Sequence, residues 1–121
     1  MRDLITAYKI VVSESPGRGR GIFATEFIPA GTVVEESHVV DLGLCVEDGR
    51  KSDMPLYFWG TPDNERYAIS LGLASIFNHS DQPNTHRCCD MENSIYIFTT
   101  MSDIHEGDEL LIDYQDRDVF F

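Results

Sequence analysis

Short runs of β-branched and aromatic residues, separated by Pro and Gly turns, constrain the fold of this chain more than any other feature. Ile95–Thr100 is the clearest run, and Arg66–Ser70 alternates in the same way. Such runs are typical of strands, whereas Leu71–Phe77 has room for about one helical turn. The predicted strands are Tyr8–Val12, a strand after the Pro29-Ala30-Gly31 turn, Val39–Val46, Arg66–Ser70 and Ile95–Thr100. We therefore predict a mostly β domain with little helix.

One short pattern occurs twice. Ile28-Pro29-Ala30-Gly31 precedes a β-branched strand, and Ile104-His105-Glu106-Gly107 precedes another apolar run. An Ile-x-x-Gly segment ahead of a strand, repeated in this way, indicates a weak internal duplication in an all-β domain.

Size and charge limit the classes of function. The chain has 121 residues, of which 42% are hydrophobic, so we predict a single domain over residues 1–121 with one buried core. Its formal net charge of -12 opposes binding of nucleic acid through phosphate contacts and favours a basic partner. An acidic balance can also serve solubility alone, so the charge by itself leaves both interpretations open.

The cysteines indicate a reducing compartment. Cys45, Cys88 and Cys89 are odd in number, and the adjacent pair is badly placed for a mutual disulfide. The N-terminus lacks the apolar stretch of a signal peptide, and no run approaches the roughly 20 residues of a membrane span. We therefore expect an intracellular protein that does not enter a membrane.

Two polar motifs are candidates for a site. An apolar run breaks into Asn78-His79-Ser80 and closes at Pro83-Asn84, which concentrates hydrogen-bonding groups where a core segment reaches the surface. A purely structural loop explains this motif equally well. Gly17-Arg18-Gly19-Arg20-Gly21 allows the backbone to turn tightly and to approach a ligand, but an ordinary glycine turn between strands has the same appearance.

The residues for metal binding or nucleophilic catalysis are present but poorly arranged. His79, His86, Cys88 and Cys89 lie within eleven residues, yet their spacing fits no closed zinc pattern, and adjacent cysteines on a strand point to opposite faces. No Gly-x-Ser-x-Gly elbow is present. We predict no metal site.

Three motifs, taken in order, resemble those of the SET-domain protein lysine methyltransferases. They are Gly19–Ala24, Phe77–Asn84 and Gly107–Tyr114, and they are spread in this order over most of the chain. The resemblance implies a β-clip fold in which several small sheets surround a C-terminal pseudoknot. In that pseudoknot the last motif threads beside the Asn-His-Ser segment, and S-adenosylmethionine lies against both.

The resemblance also implies a role for particular residues. Tyr114 corresponds to the catalytic tyrosine, which aims its hydroxyl at the reacting methyl group and the amine. Ile112 stands two residues earlier, where members often carry Tyr or Phe, and an apolar side chain there leaves room for more than one methyl group. The cofactor would be held by Gly19, Arg20, Gly21, Asn78 and His79, and the lysine channel would be lined by Tyr57, Phe23 and Ile112.

The substrate of such an enzyme would be a basic, lysine-containing protein, which suits the acidic charge of the chain and resembles a histone tail. The expected location is then the nucleus or chromatin of a eukaryotic cell or host. Phe120 and Phe121 could fold back as a lid over the lysine channel, or a second subunit of a homodimer could complete it. Two alternatives stay open: a catalytically silent SET-like module that binds basic peptides, and an unrelated small β-clip protein.

Overall fold

The computed structural model of the chain describes residues 3–45, 57–59, 66–114 and 119–120. Ten strands and one 3₁₀ turn form within these ranges. The strands are β1 Ile10–Ser15, β2 Gly19–Ala24, β3 Val33–Cys45, β4 Tyr57–Trp59, β5 Arg66–Ser70, β6 Asn78–His79, β7 Thr85–Asp90, β8 Ile95–Thr100, β9 Glu109–Ile112 and β10 Val119–Phe120, and the 3₁₀ turn is Ala74–Ile76. The predicted mostly β architecture with little helix is confirmed. None of the described helical residues forms a helix long and apolar enough to cross a membrane.

The strands form two sheets. One has four strands in the order β1-β2-β9-β6, and the other has six in the order β10-β7-β8-β3-β5-β4. In the four-stranded sheet β9 runs antiparallel to β2 and parallel to β6, so the end of the chain passes between two earlier segments. This is the threading expected of the C-terminal pseudoknot.

Strand β3 differs from the sequence prediction. Two separate strands were expected in this region, but Val33–Cys45 forms one strand of 13 residues. Its first half pairs with β8 and its second half with β5, both antiparallel, with register shifts in each ladder. The charged Glu35 and Glu36 do not interrupt it, because their carboxylates accept hydrogen bonds from the backbone N–H groups of Ala7 and Ile5 at 2.8 Å each.

Strand β1 also lies further along the chain than Tyr8–Val12. It extends from Ile10 to Ser15 because β2 continues the antiparallel ladder as far as the pair Ser15 and Gly19. Lys9, just before the strand, has a φ of 60°, which an extended strand does not allow. The other two strand predictions, Arg66–Ser70 and Ile95–Thr100, agree with the observed bounds of β5 and β8.

Both sheets contribute aliphatic and aromatic side chains to one hydrophobic core. The rings of Phe77 and Phe98 stack with their centroids 4.4 Å apart. Ile28 and Ile104, from the two Ile-x-x-Gly segments, pair with each other through two backbone hydrogen bonds of 2.8 Å. The repeated segments therefore meet inside the fold, and the strand that follows the second one, β9, starts from this fixed point.

Candidate active site

Tyr114 is held against the segment that contains β6. Its hydroxyl donates a hydrogen bond of 2.6 Å to the carbonyl oxygen of Phe77, and its backbone N–H donates one of 3.0 Å to Nδ1 of His79. The rings of Tyr114 and His79 lie 5.2 Å apart at a tilt of 45°. Tyr114 is thus held through its backbone N–H and through its hydroxyl, while 51% of the residue stays exposed to solvent.

The amide of Asn78 links this segment to the glycine turn. Its Nδ2 donates to the carbonyl oxygen of Arg20 at 2.9 Å and to Oε2 of Glu109 at 2.7 Å. An amide nitrogen carries two hydrogens, so both are engaged and the orientation of the amide is set by the hydrogen bonds. Arg20 and Asn78 are therefore neighbours in space, as the resemblance implied.

Two glycines of the turn are required for different reasons. Gly19 has a φ of 79°, a backbone conformation that favours glycine, and the space on its side-chain face is open. Gly21 is needed for space: a Cβ there would lie 2.9 Å from Nδ2 of Asn78 and would collide with the carboxylate of Glu109. The glycine turn thus supplies both a tight bend and a close approach of two chain segments.

His79 is surrounded by polar groups. Its backbone carbonyl accepts a hydrogen bond of 3.0 Å from the guanidinium of Arg18. On the ring, Nδ1 accepts from the N–H of Tyr114, so Nε2 carries the proton that faces Oδ1 of Asp81 at 3.1 Å. Oδ1 of Asp113 lies 3.7 Å from Nδ1. These contacts fix the imidazole and the peptide group of His79 together.

Asn84, at the end of the same motif, has a structural role. Its Nδ2 donates to the carbonyl oxygen of Glu109 at 2.9 Å, and its Oδ1 accepts from the N–H of Leu111 at 2.8 Å. Its own N–H donates to the carbonyl of Leu111 at 3.2 Å. The motif therefore combines the two interpretations left open by the sequence: Asn84 clamps β9, whereas Asn78 and His79 face the turn and Tyr114.

The residues predicted to line the lysine channel are more dispersed. Phe23 is half-buried on β2, opposite Glu109 in the strand register. Ile112 lies opposite His79, is only 1% exposed and belongs to the hydrophobic core. Tyr57 begins β4, and its side chain lies outside the described part of the structure.

The C-terminal residues run along the six-stranded sheet. The backbone of Val119 and Phe120 pairs in parallel with Cys88 and Cys89 of β7, and Phe121 lies outside the described residues. The lid expected from Phe120 and Phe121 stays a prediction.

Two residues of the site were missed by sequence reasoning. Glu109 lies within the third motif, and its signal was a single acidic residue at the start of the apolar run Glu109–Ile112. Arg18 lies between the glycines that were considered, but nothing local in the sequence distinguishes it from Arg20. In the described ranges, no group of three or more His, Cys, Asp or Glu residues could hold a metal ion.

The family of the protein follows from this geometry together with comparison. A glycine turn, an Asn-His pair and a late tyrosine meet where β9 threads between β2 and β6, and the SET domain model matches residues 19–115. The chain belongs to the SET-domain family.

Two proteins that are similar to this chain are named as histone methyltransferases. A Schizosaccharomyces pombe protein named "Histone-lysine N-methyltransferase, H3 lysine-37 specific" is 30% identical over 119 residues, which cover 97% of this chain and 80% of that protein. A Plasmodium falciparum crystal structure described as a "putative histone methyltransferase" has a TM-score of 0.67 and 27% identity, and covers 90% of this chain and 95% of that chain. SET-domain methyltransferases use S-adenosylmethionine, and this chain is a protein-lysine N-methyltransferase.

Proposed function

We propose that this enzyme methylates a lysine in a histone tail, with Tyr114 as the catalytic residue. The observation that carries the proposal is the position of the Tyr114 hydroxyl, 2.6 Å from the carbonyl of Phe77 and next to the Asn78-His79 pair. The relative from Schizosaccharomyces pombe is named for a histone H3 lysine, which supports a substrate of the same class.

S-adenosylmethionine would be held by Gly19, Arg20, Gly21, Asn78 and His79. There is room for such a group beside the turn: Gly19 and Arg20 line a depression together with Val12, Ser13 and Glu14, and a Cβ on Gly19 would meet no atom within 4 Å. The Asn78 amide adds an acceptor: since both hydrogens of Nδ2 are engaged, Oδ1 is directed away from Arg20 and Glu109. An amide oxygen and exposed backbone groups can bind the polar parts of this cofactor.

When bound, S-adenosylmethionine supplies an electrophilic methyl group on a sulfonium. That methyl group would pass to the lone pair of the lysine nitrogen, and the neutral thioether S-adenosylhomocysteine would be the second product. The lysine must first lose a proton, and its ordinary pKa of about 10.4 opposes this, so a partly desolvated channel that disfavours the ammonium is required.

The hydroxyl of Tyr114 has a defined direction for this step. It donates its one proton to the carbonyl of Phe77, so its oxygen is an acceptor toward any group that approaches from solvent. An oxygen oriented in advance toward the amine or the methyl hydrogens aligns the in-line displacement without acting as a base. Tyr114 therefore serves as a polarising and orienting group.

Charge and location extend the proposal. A protein with a net charge of -12 attracts a basic tail at long range, and this steering weakens as salt rises. A histone substrate would place the enzyme in the nucleus or on chromatin. A homodimer in which the partner completes the lysine channel also stays a prediction, and sedimentation that shows only monomer under assay conditions would remove it.

The experiment that tests the function is transfer of labelled methyl groups. The enzyme is incubated with labelled S-adenosylmethionine and mixed histones, and the assay is repeated with Tyr114→Phe. Label on histone lysine that is lost in the variant supports the proposal. Binding of S-adenosylhomocysteine, measured by thermal shift, without any transfer to histones would identify a silent binding module instead.

A further inference from the structure

Glu109 connects three segments of the candidate site. Its Oε1 accepts a hydrogen bond of 2.9 Å from the hydroxyl of Ser15, and its Oε2 accepts one of 2.7 Å from Nδ2 of Asn78. Its backbone carbonyl accepts a third from Asn84 at 2.9 Å. The residue therefore joins the end of β1, the start of β9, and Asn78 and Asn84 of the Phe77–Asn84 motif.

The carboxylate has little freedom to move. It packs directly over Gly21, where a Cβ would collide with it, and its two oxygens are engaged on opposite sides by Ser15 and Asn78. Glu109 is half-buried, which reduces the competition of water for these bonds. A carboxylate held in this way presents one oxygen to Asn78 at a constant position.

The bond to Glu109 fixes the plane of the Asn78 amide. The Arg20 carbonyl is an acceptor and already requires the amide nitrogen on its side, but with that bond alone the amide could rotate about a single contact. The second bond, which is charge-assisted and shorter at 2.7 Å, engages the other hydrogen of Nδ2 and so prevents this rotation. Oδ1 of Asn78 then has one direction.

We propose that Glu109 is a positioning residue for methyl transfer, which acts by holding the Asn78 amide in the orientation that receives S-adenosylmethionine. This inference rests on the proposed function, in which Asn78 binds the cofactor. It assigns to Glu109 no contact with the methyl group or the lysine.

A double-mutant cycle tests the inference. The affinity for S-adenosylhomocysteine is measured by calorimetry, and kcat and the KM for S-adenosylmethionine are measured separately, for Glu109→Ala, Asn78→Ala and the double variant. Glu109→Ala is expected to weaken the affinity about tenfold, the order expected for loss of one charge-assisted hydrogen bond, with a smaller change in kcat. In the Asn78→Ala background the same change is expected to have an effect of less than about twofold.

A conservative variant separates hydrogen bonding from charge. In Glu109→Gln the amide oxygen can still accept from Asn78, and the new N–H₂ can donate to Ser15, whose hydroxyl can also accept. The affinity is therefore expected to stay within about twofold of the wild type. Equal loss in Glu109→Gln and Glu109→Ala would overturn the inference, because the charge itself would then be what matters.

Glu35 provides a matched control. It is 1% exposed and accepts bonds from the N–H groups of Ala7 and Leu73 and from the hydroxyl of Ser37, but it lies outside the candidate site. Glu35→Gln is expected to lower the melting temperature without changing the affinity for S-adenosylhomocysteine. If it weakened the affinity as much as Glu109→Ala, the effect would be one of general stability and the inference would fail.

The remaining outcomes separate this inference from the proposed function. An unchanged affinity in Asn78→Ala would overturn this inference and the place of Asn78 in the cofactor site, whereas methyl transfer to histones is tested separately by the label assay. A loss in Asn78→Ala with an equal effect of Glu109→Ala in both backgrounds would overturn the role of Glu109 alone.

A second comparison is used if Glu109→Ala does not fold. The affinity of Glu109→Gln is then compared with that of the double variant Ser15→Ala/Glu109→Gln. Without the Ser15 hydroxyl the Gln amide can turn its N–H₂ toward Asn78, so a further loss is expected, and an unchanged affinity would overturn the inference.

Discussion

The two sheets of this enzyme are held together in different ways. In the six-stranded sheet, β7 and β8 pair through six residues each, and the aromatic side chains of Tyr96 and Phe98 are completely buried. In the four-stranded sheet β1 and β2 also pair through six residues, but β9 joins β6 through only two residue pairs and β2 through two. Such short ladders supply few backbone hydrogen bonds.

Around the site, side chains reinforce this limited backbone pairing. Asn84 bonds to the backbone of Glu109 and Leu111, and Asn78 bonds to the carbonyl of Arg20 and to the carboxylate of Glu109. The six-stranded sheet thus depends on burial of apolar surface, whereas the site depends on polar side chains with fixed geometry. Stability and activity should therefore respond to different substitutions.

The largest expected effect is on stability, from Phe98→Ala. Phe98 is fully buried and stacks on Phe77 at 4.4 Å, so its removal leaves a cavity and costs about 3–5 kcal/mol of unfolding free energy. Chemical denaturation measures this loss. Phe27→Ala is the control, because Phe27 is 47% exposed and the same change there should cost far less. Equal losses would contradict a stability that depends on burial.

The next effect is on catalysis, from Tyr114→Phe. Loss of the oriented hydroxyl is expected to lower kcat about 100-fold, a magnitude typical of removing one fixed polar group from a reaction centre. The affinity for S-adenosylhomocysteine should change by less than about twofold, because the ring and the Tyr114 N–H bond to His79 remain. Steady-state kinetics and calorimetry measure the two quantities. A variant with full kcat would exclude Tyr114 from catalysis.

A smaller, mixed effect is expected from Asn84→Ala. The change removes hydrogen bonds to the Glu109 carbonyl, the Leu111 N–H and the Thr85 hydroxyl, at a cost of about 2 kcal/mol of unfolding free energy. The KM for the cofactor should rise as well, since β9 carries Glu109. Asn93→Ala is the control. Asn93 is a turn residue of the six-stranded sheet that bonds to Asp90, and its replacement should leave the KM for the cofactor unchanged. A normal KM in Asn84→Ala would show that β9 is held without it.

The smallest effect is expected from Gly21→Ala. The added methyl would displace the Glu109 carboxylate and the Asn78 amide, so the affinity for S-adenosylhomocysteine should fall about fivefold. Gly19→Ala is the comparison: its surroundings are open, but its φ of 79° opposes alanine, so about 1 kcal/mol of stability should be lost. A Gly21→Ala variant with normal affinity would show that the two segments can separate without harm.

Part of the fold could be predicted from local pattern. Arg66–Ser70 and Ile95–Thr100 were placed with their observed bounds, because alternation and β-branched residues act over neighbouring positions. The length of β3 could not be predicted, since it depends on two different partner strands that keep Glu35 and Glu36 within a sheet. That the glycine turn, Asn78 and Tyr114 lie near one another was predicted from the family resemblance. No pattern of neighbouring residues predicts it.

The sequence by itself determined the mostly β character of the chain and the three motifs that mark the family, although it did not predict strands such as β7, Thr85–Asp90. Only the tertiary structure decided which side chains act together in the site. Glu109 bonds to Ser15 and Asn78, which are 94 and 31 residues away along the chain. The physical reason is that a carboxylate has no local preference for either partner. Its role is set when β9 passes between β2 and β6, and that contact exists only in the folded chain.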